Sequence, residues 1–280
     1  MRARAATSVL AVLAALQGAA AEPATSERPQ RVVSMNLCTD QIALLLAAPG
    51  QLISVSYLAA DPDLSLLSDE TAGLDINHGL GEEIFRLQPD LVLAGRYTTT
   101  ATINLLKRLG KPVAEFDPAN GFDDIAHNVR RMGKLLGSTS KADRLVASLE
   151  AALAAPIAIQ PDRDAPVLGS YGANSYTTGA GTLENDIVTR SGFRHLGEEI
   201  GVSGTTRLPL EALILADPEV LLVWNRAGSG PSRSTEVLAH PALARRFADR
   251  RRISDDSRYW ICGTPFSVEA VRRLREQLRQ

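Results

Sequence analysis

The chain has 280 residues, with 32 acidic against 30 basic side chains and a formal net charge of −2. That balance excludes a nucleic-acid binder, which needs a strongly basic face, while the length is enough for two lobes with cores of their own. Aromatic residues make up 5% of the sequence and there are two cysteines, so each Tyr, Trp and Cys is informative, and two Cys do not form a disulfide framework.

At the N-terminus Arg2 and Arg4 precede an apolar run over 5–16, and Ala19-Ala20-Ala21 supplies a small-x-small pattern before Glu22. This predicts a cleavable signal peptide over 1–21 and delivery of a soluble chain to a periplasm, since the run is too short for a membrane span. No Cys lies near the cleavage position to carry a lipid anchor. The following pattern predicts a strand at 31–35, a helix at 39–47 ended by Pro49-Gly50, and a strand at 52–56. Residues 58–80 read as mostly irregular. A short helix then leads into a strand at 91–94, followed by a helix at 100–109 and a strand at 112–116.

A helical stripe runs from Phe122 through Ile125, Val129, Met132 and Leu136, breaks at Gly137-Ser138, and resumes at Leu145, Val146, Leu149 and Leu153. Its second half lacks Pro and Gly and reads as a helix joining the lobes. After a Pro-rich break at 156–166, the second half predicts a strand at 167–171 and a helix capped by Thr182 that stops at Ser191-Gly192. Further strands are expected at 220–224, 252–254 and 259–261, with helices at 240–247 and 267–278. A loop at 227–232 separates the first of these strands from the helix that follows. Alternating helices and apolar strands favour parallel sheets. The predicted fold is α/β, with an N-terminal lobe at 22–137, a connecting helix at 138–160 and a C-terminal lobe at 161–280. Each lobe has a mostly parallel sheet flanked by helices, and the ligand crevice lies between the lobes.

One motif occurs twice. Glu82-Glu83-Ile84-Phe85-Arg86-Leu87-Gln88-Pro89-Asp90-Leu91-Val92-Leu93 is repeated in outline by Glu211-Ala212-Leu213-Ile214-Leu215-Ala216-Asp217-Pro218-Glu219-Val220-Leu221-Leu222. Each copy reads as a short helix, a corner at Pro with an extended residue before it, and a buried strand. The acids Glu82 and Glu211 hold matching positions.

The four histidines form no pair at helical spacing, and no zinc, phosphate-loop or nucleophile-elbow motif is complete. The sequence therefore predicts no catalytic residues, no metal site and no enzyme. Ligands of open α/β sheets sit beyond the carboxyl ends of the strands. Those ends supply Met35, Asn36, Tyr57, Arg96, Tyr97, Tyr171, Trp224, Arg226 and Trp260 as candidate ligand-binding residues. The two Trp either continue their strands into the core or face the crevice. Aromatic walls with a few polar fixings suit a bulky, ring-shaped ligand such as a metal chelate.

The opening Arg31-Val32-Val33-Ser34, the Gln88-Pro89-Asp90-Leu91-Val92 segment, its Asp217-Pro218-Glu219 copy and the long interlobe helix resemble the helical-backbone family of periplasmic substrate-binding proteins. That family serves ABC importers of ferric siderophores, haem and cobalamin. The resemblance implies a protein without intrinsic cofactor that captures a metal chelate and passes it to an inner-membrane permease, with small hinge motion. It also implies that Glu82, or the adjacent Glu83, and Glu211 dock onto permease arginines. Cys38 and Cys262 follow strand ends in opposite lobes. They either form an interlobe disulfide, the leading option in an oxidising compartment, or grip a soft metal, or sit apart as buried thiols. The alternatives to the chelate reading are a direct metal-ion carrier using His78 with the two cysteines, and a secreted enzyme acting in the same crevice.

Overall fold

The computed structural model describes residues 28–155, 164–223 and 232–279. The predicted signal peptide, most of the 156–166 break and residues 227–231 of the expected loop lie outside them. In the first half, β1 (Val32–Ser34), α1 (Leu37–Leu46), β2 (Leu52–Ser56), β3 (Asp75–Asn77), α2 (Gly81–Arg86), β4 (Leu91–Gly95), α3 (Thr100–Arg108) and β5 (Val113–Phe116) build a five-stranded sheet. Its order is β3-β2-β1-β4-β5 and every pair is parallel. The central strand β1 is wholly buried. Parallel sheets are covered on both faces by their crossover helices, which is why these strands read as unbroken apolar runs. The exception is β3, where Asp75 and Ile76 are exposed at the sheet edge. No apolar run betrays it within the segment expected to be irregular.

The predicted helical stripe becomes two helices, α4 (Phe122–Leu136) and α5 (Thr139–Leu153). Gly137, with φ of 66°, closes α4 through a left-handed cap, and the chain doubles back. Gly133 lies so close to Ala142 that a Cβ at position 133 would sit 2.4 Å from the Ala142 methyl, and Arg130 pairs with Asp143 and Glu150. Helix α5, within the connector expected over 138–160, is therefore the second arm of an antiparallel hairpin with α4.

The second half contains β6 (Val167–Tyr171), β7 (Tyr176–Thr178), α6 (Leu183–Arg190), β8 (Arg194–His195), α7 (Leu196–Glu199), β9 (Thr205–Arg207), α8 (Leu210–Ala216), β10 (Val220–Val223), α9 (Pro241–Arg246), β11 (Arg251–Ile253), α10 (Arg258–Ile261) and α11 (Ser267–Gln277). A parallel sheet runs β11-β10-β6-β8, and β7 and β9 form a separate antiparallel pair. Residues 259–261 are helical, not extended as their Tyr-Trp-Ile composition predicts. The Asp256 carboxylate accepts the Arg258 backbone N–H at 3.0 Å, and such an Asx turn starts a helical turn in place of a strand.

The repeated motif gives the same corner in both lobes. Its proline is buried in each copy, but the residue before it is not extended. Gln88 and Asp217 have φ of 48° and 47°. A left-handed residue ends the helix, and it avoids the right-handed region that a following proline disfavours. The acid after the proline then ties down the lobe's central strand. Asp90 accepts the backbone N–H groups of Gln30 and Arg31 at 2.6 and 2.9 Å, and Glu219 accepts that of Val167 at 3.0 Å. Gly169 completes the second corner, because a Cβ there would lie 2.8 Å from Pro218.

The two lobes share one apolar core, which runs from Val32 and Leu93 through the α4–α5 hairpin to Leu168, Leu222 and Leu274. Polar ties cross between them as well. Asp186 of α6 accepts the Phe122 N–H at the start of α4 at 2.8 Å. Arg258 donates to the Pro62 carbonyl at 3.0 Å. Arg275 of α11 donates to the carbonyls of Leu153 and Ala155.

Candidate ligand-binding site

The carboxyl ends of the N-terminal sheet present, in spatial order, His78 after β3, Tyr57 after β2, Asn36 after β1, Arg96 after β4 and Asp117 after β5. Over the β1, β4 and β5 ends opens a crevice continuous with solvent. Asn36, Arg96, Tyr97, Phe116 and Asp117 form its N-terminal wall; Leu183, Trp260 and Ile261 face them from the other lobe.

Local chemistry explains each wall residue. Asn36 caps α1, its Oδ1 accepting the Cys38 N–H at 3.0 Å. Gly95 is packed against it, with only 3.1 Å to the Asn36 side chain from a Cβ placed at 95. Arg96 grips Asp117 with both Nε and Nη2, and that hydrogen bond holds the Asp117 carboxyl below its ordinary range. Tyr97 is 83% exposed, an aromatic ring at the crevice mouth without packing of its own. Trp260 is fixed, its indole N–H donating to Asp255 at 2.9 Å. Arg273 holds Asp255 in turn at 3.1 Å and lies over the Tyr259 ring.

Cys38, in the first turn of α1, is disulfide-bonded to Cys262 across a sequence separation of 224 residues. The bridge joins the two lobes beside the crevice, whose lining includes Cys38, Thr39 and Gly263. It also withdraws both sulfurs from any metal, which removes the thiolate grip of the metal-carrier alternative. Among the described residues no group of three or more His, Cys, Asp or Glu is arranged to hold a metal ion.

The remaining predicted residues separate. Met35 is 6% exposed in the N-terminal core. Tyr171 is fully buried among Leu208, Leu213 and Phe247, and its hydroxyl donates to the Leu208 carbonyl at 3.1 Å. These two side chains point into the cores. Tyr57 is half exposed on the rim and stacks on His78 with ring centroids 5.4 Å apart. Trp224 and Arg226 lie outside the described residues. Glu82 and Glu211 are exposed, each in the first turn of its short helix. Glu83 is engaged locally by the backbone and ring of His78, whereas Glu82 has no side-chain partner among the described residues.

Asp255, Asp40 and the Glu184–His195 contact leave no signal in the sequence, because their partners are remote or their neighbours apolar. Asp40, fully buried one turn into α1, has its carboxyl pushed up to about 6 by burial. The Ser56 hydroxyl donates to its Oδ2 at 2.5 Å, and Oδ1 has no partner among the described residues.

Two parallel-sheet lobes around one crevice define a bilobal binding protein, and comparison gives the family. Residues 32–251 match the periplasmic binding protein family model, and the chain belongs to that family. It is similar to the cobalamin-binding protein of Halobacterium salinarum, 22% identical over 220 residues covering 78% of this chain and 60% of that protein. It also resembles the uncharacterized ABC transporter substrate-binding lipoprotein YvrC of Bacillus subtilis, 22% identical over 205 residues, 70% of this chain and 64% of that one. The chain thus spans less than two thirds of the length of these curated relatives. Among solved structures, the periplasmic haem-binding protein HutB of Vibrio cholerae superposes with a TM-score of 0.74 at 16% identity, covering 90% of this chain and 99% of that one. That likeness is one of fold.

Proposed function

We propose that this chain is the extracytoplasmic binding component of an ABC importer and that its ligand is a metal chelate of the siderophore, haem or corrinoid kind. The observation that carries the reading is the crevice itself. Its walls are Tyr97, Phe116, Trp260 and Ile261, with Asn36 and the Arg96–Asp117 pair as polar fixings and a covalent bridge at its side. The family membership and the ligands named for the similar proteins support it. Binding requires no chemistry at the ligand. Stacking and dispersion on the aromatic walls supply affinity, and a nanomolar complex needs about −12 kcal/mol net, within reach of several buried aromatic contacts on a rigid site. The shared core and the interlobe ties favour small hinge motion on binding. Glu82 and Glu211 are the proposed permease-docking acids, and residues 1–21 are the proposed signal peptide, cleaved on export.

The test is direct. Purified protein is incubated separately with haemin, a ferric hydroxamate siderophore and cyanocobalamin, then desalted, and the visible spectrum is recorded. Retention of one chelate in equimolar amount is the expected result. Retention of none, with a bare divalent metal bound instead, returns the metal-carrier alternative. Turnover of a substrate in the crevice returns the enzyme.

A further inference from the structure

The main crevice does not end at Trp260. On the far side of Trp260 and Ile261 a second, shallow and open recess is lined by Glu184, Ser257 and those same two residues. Glu184 lies in the first turn of α6, a helix whose start is fixed by the Thr182 cap. Its side chain is 11% exposed, and one oxygen lies 3.4 Å from Nε2 of His195, whose ring is wholly buried. His195 is the one partner that the described residues give this carboxylate. Ser257 lines the same recess, and its hydroxyl has no hydrogen-bond partner among the described residues.

The charges around this recess are otherwise matched. Arg96 is taken by Asp117, and Arg258 by Asp256 at 2.7 Å. Glu184 forms no ion pair with an Arg or Lys of the described residues. An ionised carboxylate is purely an acceptor, and a buried hydroxyl without a partner carries an unmet hydrogen-bonding capacity. The carboxylate calls for a hydrogen-bond donor from the ligand, and the hydroxyl can accept from the same group.

We infer that Glu184 and Ser257 form a polar subsite that takes a primary amide or amine on the rim of the ligand. The crevice therefore prefers amide-rimmed chelates to carboxylate-rimmed ones. The inference rests on the chelate reading above and narrows it. Trp260 supplies the flat contact to the ring, and Glu184, oriented by His195, reads the substituent that projects past it. A carboxylate at that position sets like charge against like beside the mostly buried Glu184 side chain, whereas an N–H donor gains a charge-assisted hydrogen bond.

The experiment compares ligands that differ at the rim. Haemin and its bis-amide share one macrocycle, and dicyanocobinamide is a corrin rimmed by amides. Dissociation constants are measured by visible absorbance for the full exported chain and for Glu184→Gln, Glu184→Ala and Ser257→Ala. Wild type is expected to bind the bis-amide and the cobinamide more tightly than haemin. Glu184→Ala is expected to weaken the amide-rimmed ligands about 10- to 100-fold, the scale of a hydrogen bond to a charged group, and to leave haemin unchanged or tighter. Glu184→Gln keeps the contact to His195 and the packing while losing the charge, so it should fall between the two. Ser257→Ala should give a smaller loss in the same direction. Binding of the chelates with a preference that does not respond to Glu184 overturns this subsite and leaves the chelate reading standing. A wild-type preference for haemin over its bis-amide does the same. Failure of wild type to bind any of the three overturns both.

Discussion

Asp40 is a buried acid, one of whose oxygens has no partner among the described residues, and its consequence is a stability that depends on pH. Its carboxyl titrates at about 6, raised from the ordinary 3.8 chiefly by burial. The folded state therefore holds a proton that the unfolded chain releases between those two values. Stability from this group is greatest below pH 4, falls as pH rises through 6, and is constant above; the ionised native state bears a cost of about 3 kcal/mol. Asp40→Asn is expected to stabilise the protein by up to that amount at pH 8 and by little at pH 4, measured by denaturant unfolding at both. A difference independent of pH would show that Asp40 acts through packing alone. At the same scale, Trp260 is held in place by Asp255 and faces the crevice. Trp260→Ala should weaken chelate binding by roughly 1–3 kcal/mol and remove much of the fluorescence quenching a coloured chelate produces in wild type. Unchanged affinity and quenching would assign Trp260 to packing.

Elements show which physics reaches the sequence. The repeated corner was legible because it combines a proline, an acid and an apolar run at fixed spacing, all local signals. The strands β1, β2, β4, β6 and β10 were legible because burial on both faces demands continuous apolar residues. Strand β3 was not, since it is an edge strand held by backbone pairing, and α10 was not, since an Asp256 turn overrode the strand preference of Tyr259 and Trp260. The site followed the same division. Asn36, Arg96, Tyr97 and Trp260 line the crevice, but Met35 and Tyr171 turn inward, because the direction of a strand's last side chain depends on register that composition does not encode. The turn between α4 and α5 was visible as Gly137-Ser138, yet the hairpin it creates depends on Gly133. A Cβ there would stand 2.4 Å from Ala142. Replacing Gly in a helix interior ordinarily helps by a few tenths to about 1 kcal/mol, whereas overpacking costs about 1–3 kcal/mol. Gly133→Val, with the larger clash and the smaller propensity gain, should lose about 2 kcal/mol in urea unfolding. A neutral result would mean that α5 can slide away from α4 without penalty.

The whole molecule is tied across its crevice, and the ties constrain how it can work. A bridge that closes a loop of 224 residues lowers the entropy of the unfolded chain by an amount worth about 5 kcal/mol in the chain-entropy account. Denatured, non-reduced protein should show no reactive thiol and gain two after reduction, and Cys38→Ser with Cys262→Ser should lower the midpoint of unfolding. In the proposed role, lobes that share a core and a covalent bridge allow only small changes on loading, so delivery would depend on the surface presented to the permease. Glu82 and Glu211 are exposed at equivalent corners of the two lobes, and neither has a hydrogen-bond partner among the described residues, unlike Glu83, which His78 occupies. An exposed ion pair is worth under about 1 kcal/mol, so either single Ala variant should retain most uptake. The pair together loses both anchors, one on each lobe, and with them the alignment of the crevice over the permease. Glu82→Ala with Glu211→Ala should therefore abolish chelate uptake in cells while its dissociation constant, measured on purified protein, stays near wild type. Wild-type uptake by the double variant would remove these acids from docking, and a parallel loss of affinity would mean that they support the crevice instead.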